Sequence, residues 1–185
     1  MGGDPVQLGL VASLDRPGGN VTGVTQLAVE LSPKRLQLLH ELLPRVRTMA
    51  FLVHPDDPFI AESQSREVLS AARDLGLELH VLNASSVSDL HAVFAKLIEI
   101  RAGGLVVGGS VFFASHSEQL AALAVQHAIP AIYASRPFAA AGGLMSYGSN
   151  ITESYRLVGV YTGRVLKGDK PADLPVQQAT KVELI

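Results

Sequence analysis

Thr48-Met49-Ala50-Phe51-Leu52-Val53 is an uncharged run that stops at His54-Pro55-Asp56-Asp57-Pro58. A stretch this short and this apolar, ended by proline, predicts a strand buried on both faces. Leu105-Val106-Val107, set between Gly103-Gly104 and Gly108-Gly109, repeats the pattern, and residues 77–82, 130–134 and 144–147 read as further strands. Helical periodicity fills the gaps. Leu36, Leu39 and Leu43 share one face of a helix with Ser32 as N-cap and Pro33 at the first helical position, stopping before Pro44. Residues 60–75 form the next helix, closed by Gly76. Leu90, Val93, Phe94, Leu97 and Ile98 make an apolar stripe on a third. Ser115 and Glu118 read as a capping box for a fourth helix reaching His127, and residues 153–167 form a last one before Gly168. Apolar strands that alternate with amphipathic helices predict an α/β fold: an open, mostly parallel sheet with helices on both faces.

Outside this centre, residues 6–14 read as a short helix and Arg16-Pro17-Gly18-Gly19-Asn20 as a turn cluster. Residues 21–25 read as a β-branched strand and 182–185 as a terminal one. The chain has 185 residues, the size of one domain or one lobe of a larger protein. Hydrophobic residues at 48% and charged residues at 17% exclude a disordered chain. Lys+Arg number 15 against Asp+Glu 17, so no basic surplus exists to neutralise phosphates, and no nucleic-acid partner is expected. Cysteine is absent, which removes disulfides, thiolate metal sites and cysteine nucleophiles. No apolar run reaches the ~18 residues of a membrane span. Met1-Gly2-Gly3-Asp4-Pro5 has neither the basic nor the apolar region of a signal peptide.

In open α/β sheets, ligands bind beyond the carboxyl ends of the strands. The loops there are 54–58, 83–88, 108–115, 135–141 and 148–152. They and the strand ends supply Asp57, Ser110, Phe112, Phe113, Tyr133, Ser135, Arg136, Phe138, Tyr147 and Gly148: hydroxyls, an acid, one cation and flat apolar surface, the materials of a small-molecule cleft. The bland alternative makes Tyr133 and Tyr147 strand core residues, Arg136 a solvated loop charge, and Asp56-Asp57 acids that favour a helix N-terminus. The glycine pairs lack Gly-x-Gly-x-x-Gly spacing and no Gly-Lys-Ser/Thr exists, so they read as tight turns rather than phosphate loops. The six histidines fall at no metal-binding spacing, and only His54 lies in a candidate cleft loop. No Gly-x-Ser-x-Gly elbow marks a serine nucleophile. Neither a cofactor nor a metal is expected.

Gly3-Asp4-Pro5-Val6, Gly9 to Leu14, Arg16 to Gly23, Leu31 to Leu36, Gly142 to Gly148 and Leu166 to Val176 occur in an order that resembles one family along the whole chain. The family is that of substrate-binding proteins of bacterial ABC-type uptake transporters, related to tryptophan- and tyrosine-binding components. The resemblance implies a type I periplasmic-binding-protein-like clamshell of two lobes, periplasmic in the full-length parent. It also implies that this chain is mainly the second lobe. Residues 1–25 would close the first lobe and form the hinge, 26–148 the second α/β lobe, and 149–185 a return crossover helix and terminal strand. It implies a solute-binding role, with no catalysis: a small organic metabolite is held in an interlobe cleft and handed to a membrane permease.

Relatives often carry an Asp-Pro pair where this chain has Ser110-Val111, and an acid near Ser135. Those carboxylates would hold a ligand ammonium. Without them, and with Arg136 nearby, the expected ligand is a small organic acid, or an amino-acid-like or aromatic metabolite near Phe112 and Tyr147. Closure of one lobe on the other would bury it. A lone lobe would bind weakly and would expose apolar surface through which it forms a homodimer. Two other classes share the fold: the effector-sensing core of a transcription regulator, which needs a DNA-binding segment, and a flavodoxin- or racemase-like α/β enzyme, which needs a positioned acid–base pair.

Overall fold

A computed structural model describes residues 4–26, 29–56 and 58–185. In chain order the first elements are β1 (Val24–Gln26), α1 (Leu31–Leu42), β2 (Thr48–Val53), α2 (Pro58–Asp74), β3 (Glu78–Asn83), α3 (Val87–Glu99) and β4 (Leu105–Val107). Then come α4 (Val111–Ser115), α5 (Ser117–Gln126), β5 (Ala131–Tyr133), α6 (Arg136–Ala140), β6 (Met145–Ser149), α7 (Ile151–Leu166), β7 (Gln177–Ala179) and β8 (Val182–Leu184). The chain divides into two compact units, Met1–Leu27 with Ser149–Val182, and Ala28–Gly148 with Glu183–Ile185.

The larger unit is organised by a six-stranded sheet in the order β3-β2-β4-β5-β6-β8. The pairs β2–β3, β2–β4, β4–β5 and β5–β6 are parallel. Ser146 and Ile185 exchange both backbone hydrogen bonds, at 2.8 and 2.9 Å, which is the antiparallel pattern. Period-two alternation sorts the strand side chains between two cores. Ala50, Leu52, Leu105, Val107, Ala131 and Tyr133 face the side covered by α3 to α6, with Leu90, Phe94, Leu97, Phe113, Leu120 and Phe138. Met49, Phe51, Val53, Val106 and Ile132 face Leu36 and Leu39 of α1 and Val68 and Ala72 of α2. The expected open, mostly parallel sheet with helices on both faces is thus observed, and its central strands β2, β4 and β5, which carry no charge, are buried on both sides.

Several local expectations differ. Ser32 does not cap α1: the helix starts at Leu31 after Glu30 with no side-chain cap, and the buried Ser32 hydroxyl instead accepts from Arg35 Nη2 at 2.6 Å. Pro33 still falls in the first turn, where its missing N–H costs nothing. The Ser115–Glu118 capping box does not form. Ser110 caps the short α4 by accepting from Phe112 N–H at 3.1 Å, so Ser115 ends that helix and α5 starts after His116. Ile98 is 54% exposed, whereas Leu90, Val93, Phe94 and Leu97 are buried, so the apolar stripe of α3 is narrower than its periodicity predicts. The genuine capping box lies at Ser86 and Asp89, which exchange bonds with each other's backbone N–H.

The smaller unit gathers segments far apart in sequence. Residues 6–14 are not a helix: Leu8 N–H reaches Asp4 C=O and Leu10 N–H reaches Pro5 C=O, then Gly9, at φ +68°, turns the chain away. β1 pairs in parallel with β7, Thr25 opposite Gln178. The strand covers Val24–Gln26, so it overlaps the expected 21–25 only at residues 24 and 25. Thr22 donates to Leu174 C=O at 2.6 Å, Val176 N–H to Leu14 C=O at 2.7 Å, and Gly18 N–H to Ala172 C=O at 3.3 Å. The family-like stretches 9–14, 16–23 and 166–176 therefore hold one another. Asn150 caps α7 through Glu153 N–H, and the buried Tyr161 of α7 donates to Pro175 C=O at 2.6 Å. Among the described residues no helix is long and apolar enough to cross a membrane.

Candidate functional site

The sheet order places the site. β2 has β3 on one side and β4 on the other, and the helices that follow β2 and β4 pack on opposite faces. At such a switch point the loops part beyond the carboxyl ends of the strands and leave a crevice. Here the two loops are residues 54–56 after β2 and Gly108-Gly109-Ser110 after β4.

Aromatic rings join the two loops. His54 lies 5.0 Å from Phe112, tilted by 35°, and 5.8 Å from Phe113, edge-on. Phe112 also faces His116 at 4.4 Å. Its ring is half-buried between two imidazoles, with spacings typical of attractive ring pairs. The Phe112 carbonyl is fixed from below by His116 Nδ1–H at 2.8 Å and the Ser115 hydroxyl at 2.9 Å. His54 Nε2 stands 3.8 Å from an Asp56 carboxylate oxygen that is largely solvent-exposed. Ser110 spends its acceptor on the Phe112 N–H and keeps a hydroxyl hydrogen to donate.

The expected site residues spread along this edge. Ser110 and Phe112 lie on the segment that follows β4, with Phe112 against His54. Ser135 precedes α6 without capping it by its side chain, and Arg136 is exposed. Tyr147 is half-buried against the α1–α2 core, and its carbonyl accepts from Arg35 Nη1 at 3.1 Å. Gly148 is buried with its Cα against the Ala134 carbonyl, so close that a Cβ there would overlap that carbonyl. Tyr133 and Phe138 are core residues, stacked at 4.6 Å and 13°. The Tyr133 hydroxyl is buried without a hydrogen-bond partner among the described residues, and burial pushes its pKa up. Asp57 lies outside the described residues.

Two polar residues not singled out in the sequence support the edge from behind. Arg35 is 1% exposed, and burial lowers its guanidinium to about 10, partly opposed by the neighbouring Tyr147, so it is a cation at neutral pH. Gln64 is also 1% exposed and donates from Nε2 to Gly109 C=O at 3.2 Å. Both had a legible signal. Arg35 lies in register with Leu31 and Leu39, and Gln64 with Val68 and Ala72, each a polar residue on the apolar stripe of its helix. Among the described residues no group of three or more His, Asp or Glu is placed to hold a metal.

The pattern of known ABC transporter substrate binding proteins matches residues 1–185. The chain belongs to that family. A tyrosine-binding protein of Clostridioides difficile is 25% identical over 183 residues, which cover 98% of this chain and 52% of that protein. The ABC domain of Streptococcus pneumoniae in complex with L-Trp superposes with a TM-score of 0.84 at 24% identity, over 98% of this chain and 62% of that one. A conserved domain protein of Vibrio cholerae gives 0.86 at 25%, over 98% and 60%. The chain thus spans about half the length of the curated relative and about three-fifths of these solved chains. Family membership and the type I periplasmic-binding-protein-like fold agree with the resemblance carried by the sequence motifs.

Proposed function

We propose that this chain supplies one ligand-binding wall of a solute-binding protein that captures a small organic metabolite and delivers it to the permease of an ABC-type uptake transporter. In this reading the protein grips its ligand without transforming it, and the full-length protein works in the periplasm. The six-stranded unit is the second lobe, and Met1–Leu27 with Ser149–Val182 belong to the first lobe and its crossover. The observation that carries the reading is the β2–β4 switch point, with its facing loops, in a chain of the substrate-binding family. Its wall offers the Phe112 ring beside two imidazoles and the Ser110 hydroxyl.

The wall suits a flat, partly apolar ligand with a carboxylate or another polar acceptor. The Clostridioides difficile relative is named for tyrosine and the pneumococcal structure holds L-Trp, which supports an aromatic ligand.

Calorimetry on the full-length protein separates these features. L-Tyrosine, L-tryptophan and 3-(4-hydroxyphenyl)propionate, which lacks the ammonium, are the probes. Retained affinity for the propionate supports the reading. Binding confined to neutral sugars or cationic amines refutes the ligand class, and turnover of any bound compound refutes the non-catalytic role.

A further inference from the structure

The buried Gln64 has no place in the apolar stripe that it occupies. It lies on α2 in register with Val68 and Ala72, yet it presents an amide to the sheet edge. Its Nε2 donates to Gly109 C=O at 3.2 Å. Its Oε1 is buried without a hydrogen-bond partner among the described residues. That oxygen lies 2.7 Å from where a Cβ on Gly108 would stand, and Leu52 C=O and Phe51 Cζ close the same space at 2.9 and 3.2 Å. Gly108 is therefore needed to let the amide pass. The first glycine of the pair makes room for Gln64, and the second supplies the carbonyl it holds.

A trans peptide is planar, with C=O and N–H pointing in opposite directions. Holding Gly109 C=O inward on Gln64 therefore turns the Ser110 N–H away from α2. The same bond sets the start of α4, where Ser110 caps Phe112 N–H and where Phe112 meets His54. We infer that Gln64 is a positioning residue: from behind the sheet edge it sets the peptide orientation of the Gly108–Ser110 loop, and through it the Ser110 and Phe112 surface offered to the ligand. This deepens the ligand-site reading above and rests on it for the consequence in binding. The geometry of the loop itself does not.

Hydrogen–deuterium exchange on the 185-residue chain tests the positioning without any ligand. In Gln64→Leu, amides of residues 109–113 should exchange about tenfold faster, the order of factor that one hydrogen bond carries. Amides of β2 and β5 should be unchanged. Gln64→Glu adds a readout that simple packing would not give. Its ionised carboxylate can only accept, and faces another acceptor at Gly109, whereas its protonated form can donate. The Glu variant should match Gln64→Leu at high pH and return towards wild type as pH falls. Wild-type controls at each pH subtract the titration of His54, Asp56 and His116 on the flanking segments. Uniform acceleration across the unit, no change in 109–113, or a Glu variant indifferent to pH overturns the inference. If Gln64→Leu does not fold, the Glu variant alone carries the test. On the full-length protein, affinity for L-tyrosine and L-tryptophan should fall in parallel with the loop exchange. Failure of the wild type to bind either probe counts against the ligand class, while the exchange data still judge Gln64.

Discussion

Replacing Tyr133 by Phe should make this protein more stable, the reverse of what most core substitutions do. The Tyr133 ring is 0% exposed, stacked on Phe138 at 4.6 Å. Gly143 also presses on it, so that a Cβ there would meet Tyr133 Cε2 at 2.6 Å. None of these contacts needs the hydroxyl. The hydroxyl itself is buried with no partner among the described residues. An unpaired buried polar group costs about 1–3 kcal/mol of desolvation. Removing it leaves a gap of a single oxygen atom, which returns a fraction of that gain as lost packing. The expected net is roughly 1 kcal/mol of added stability, or about 2–4 °C in Tm for a chain of this length. Urea denaturation should show a higher midpoint with an unchanged slope. The substitution also distinguishes a core role from a ligand role. If Tyr133 served the ligand, the variant would bind more weakly; the packing predicts unchanged affinity. A lower urea midpoint, or a loss of affinity without a stability change, would refute the reasoning.

Gly148→Ala should destabilise the larger unit by about 2–3 kcal/mol, because its Cβ meets the Ala134 backbone carbonyl and neither strand can yield; thermal melting reads this, and a neutral result would contradict the close approach. Asp89→Ala removes the acid of the α3 capping box and should lower the melting temperature. Backbone N–H from Ser85, then the Ser86 hydroxyl, hold the Asp89 carboxyl below its usual 3.8, so the wild-type advantage should be full above that pH and vanish as pH falls through the depressed value. A difference between the two proteins that does not change with pH would count against the assignment. Ile98→Glu, at a position 54% exposed, should change stability by less than about 0.5 kcal/mol, whereas Leu97→Glu, at 0%, should abolish folding; equal effects on chemical denaturation would mean that the α3 stripe is placed wrongly.

Much of the site was legible as a set of loops, and much less as a surface. The uncharged runs 48–53 and 105–107, each followed by a proline or glycine break, identify both strands of the switch point and the loops after them. Ser110 and Phe112 are placed on the loop after β4 by that reading. The apolar character of a segment does not say which of its side chains a neighbouring element will cover. Tyr133, chosen as a cleft residue, alternates inward onto the α3–α6 face and stacks on Phe138. Ile98 fits the helical period yet falls outside the contact. Short helices such as α4 and α6 leave almost no periodic signal in five residues, and a cap at Ser110 overrides the weaker capping pattern at Ser115.

Taken alone, the order of amino acids decides what can be read locally: which segments are too apolar to lie at the surface, where proline and glycine end them, and which ordered motifs mark the family. Hydrophobic burial and backbone sterics act over a few residues and leave a pattern in the chain. The partners of Arg35, Gln64 and Gly148 were settled only by three-dimensional packing. Arg35 meets Tyr147 across 112 positions and Gln64 meets Gly109 across 45. A buried polar group is held by whichever acceptor the fold brings within reach, and that distance is a property of how the strands are ordered rather than of the segments themselves.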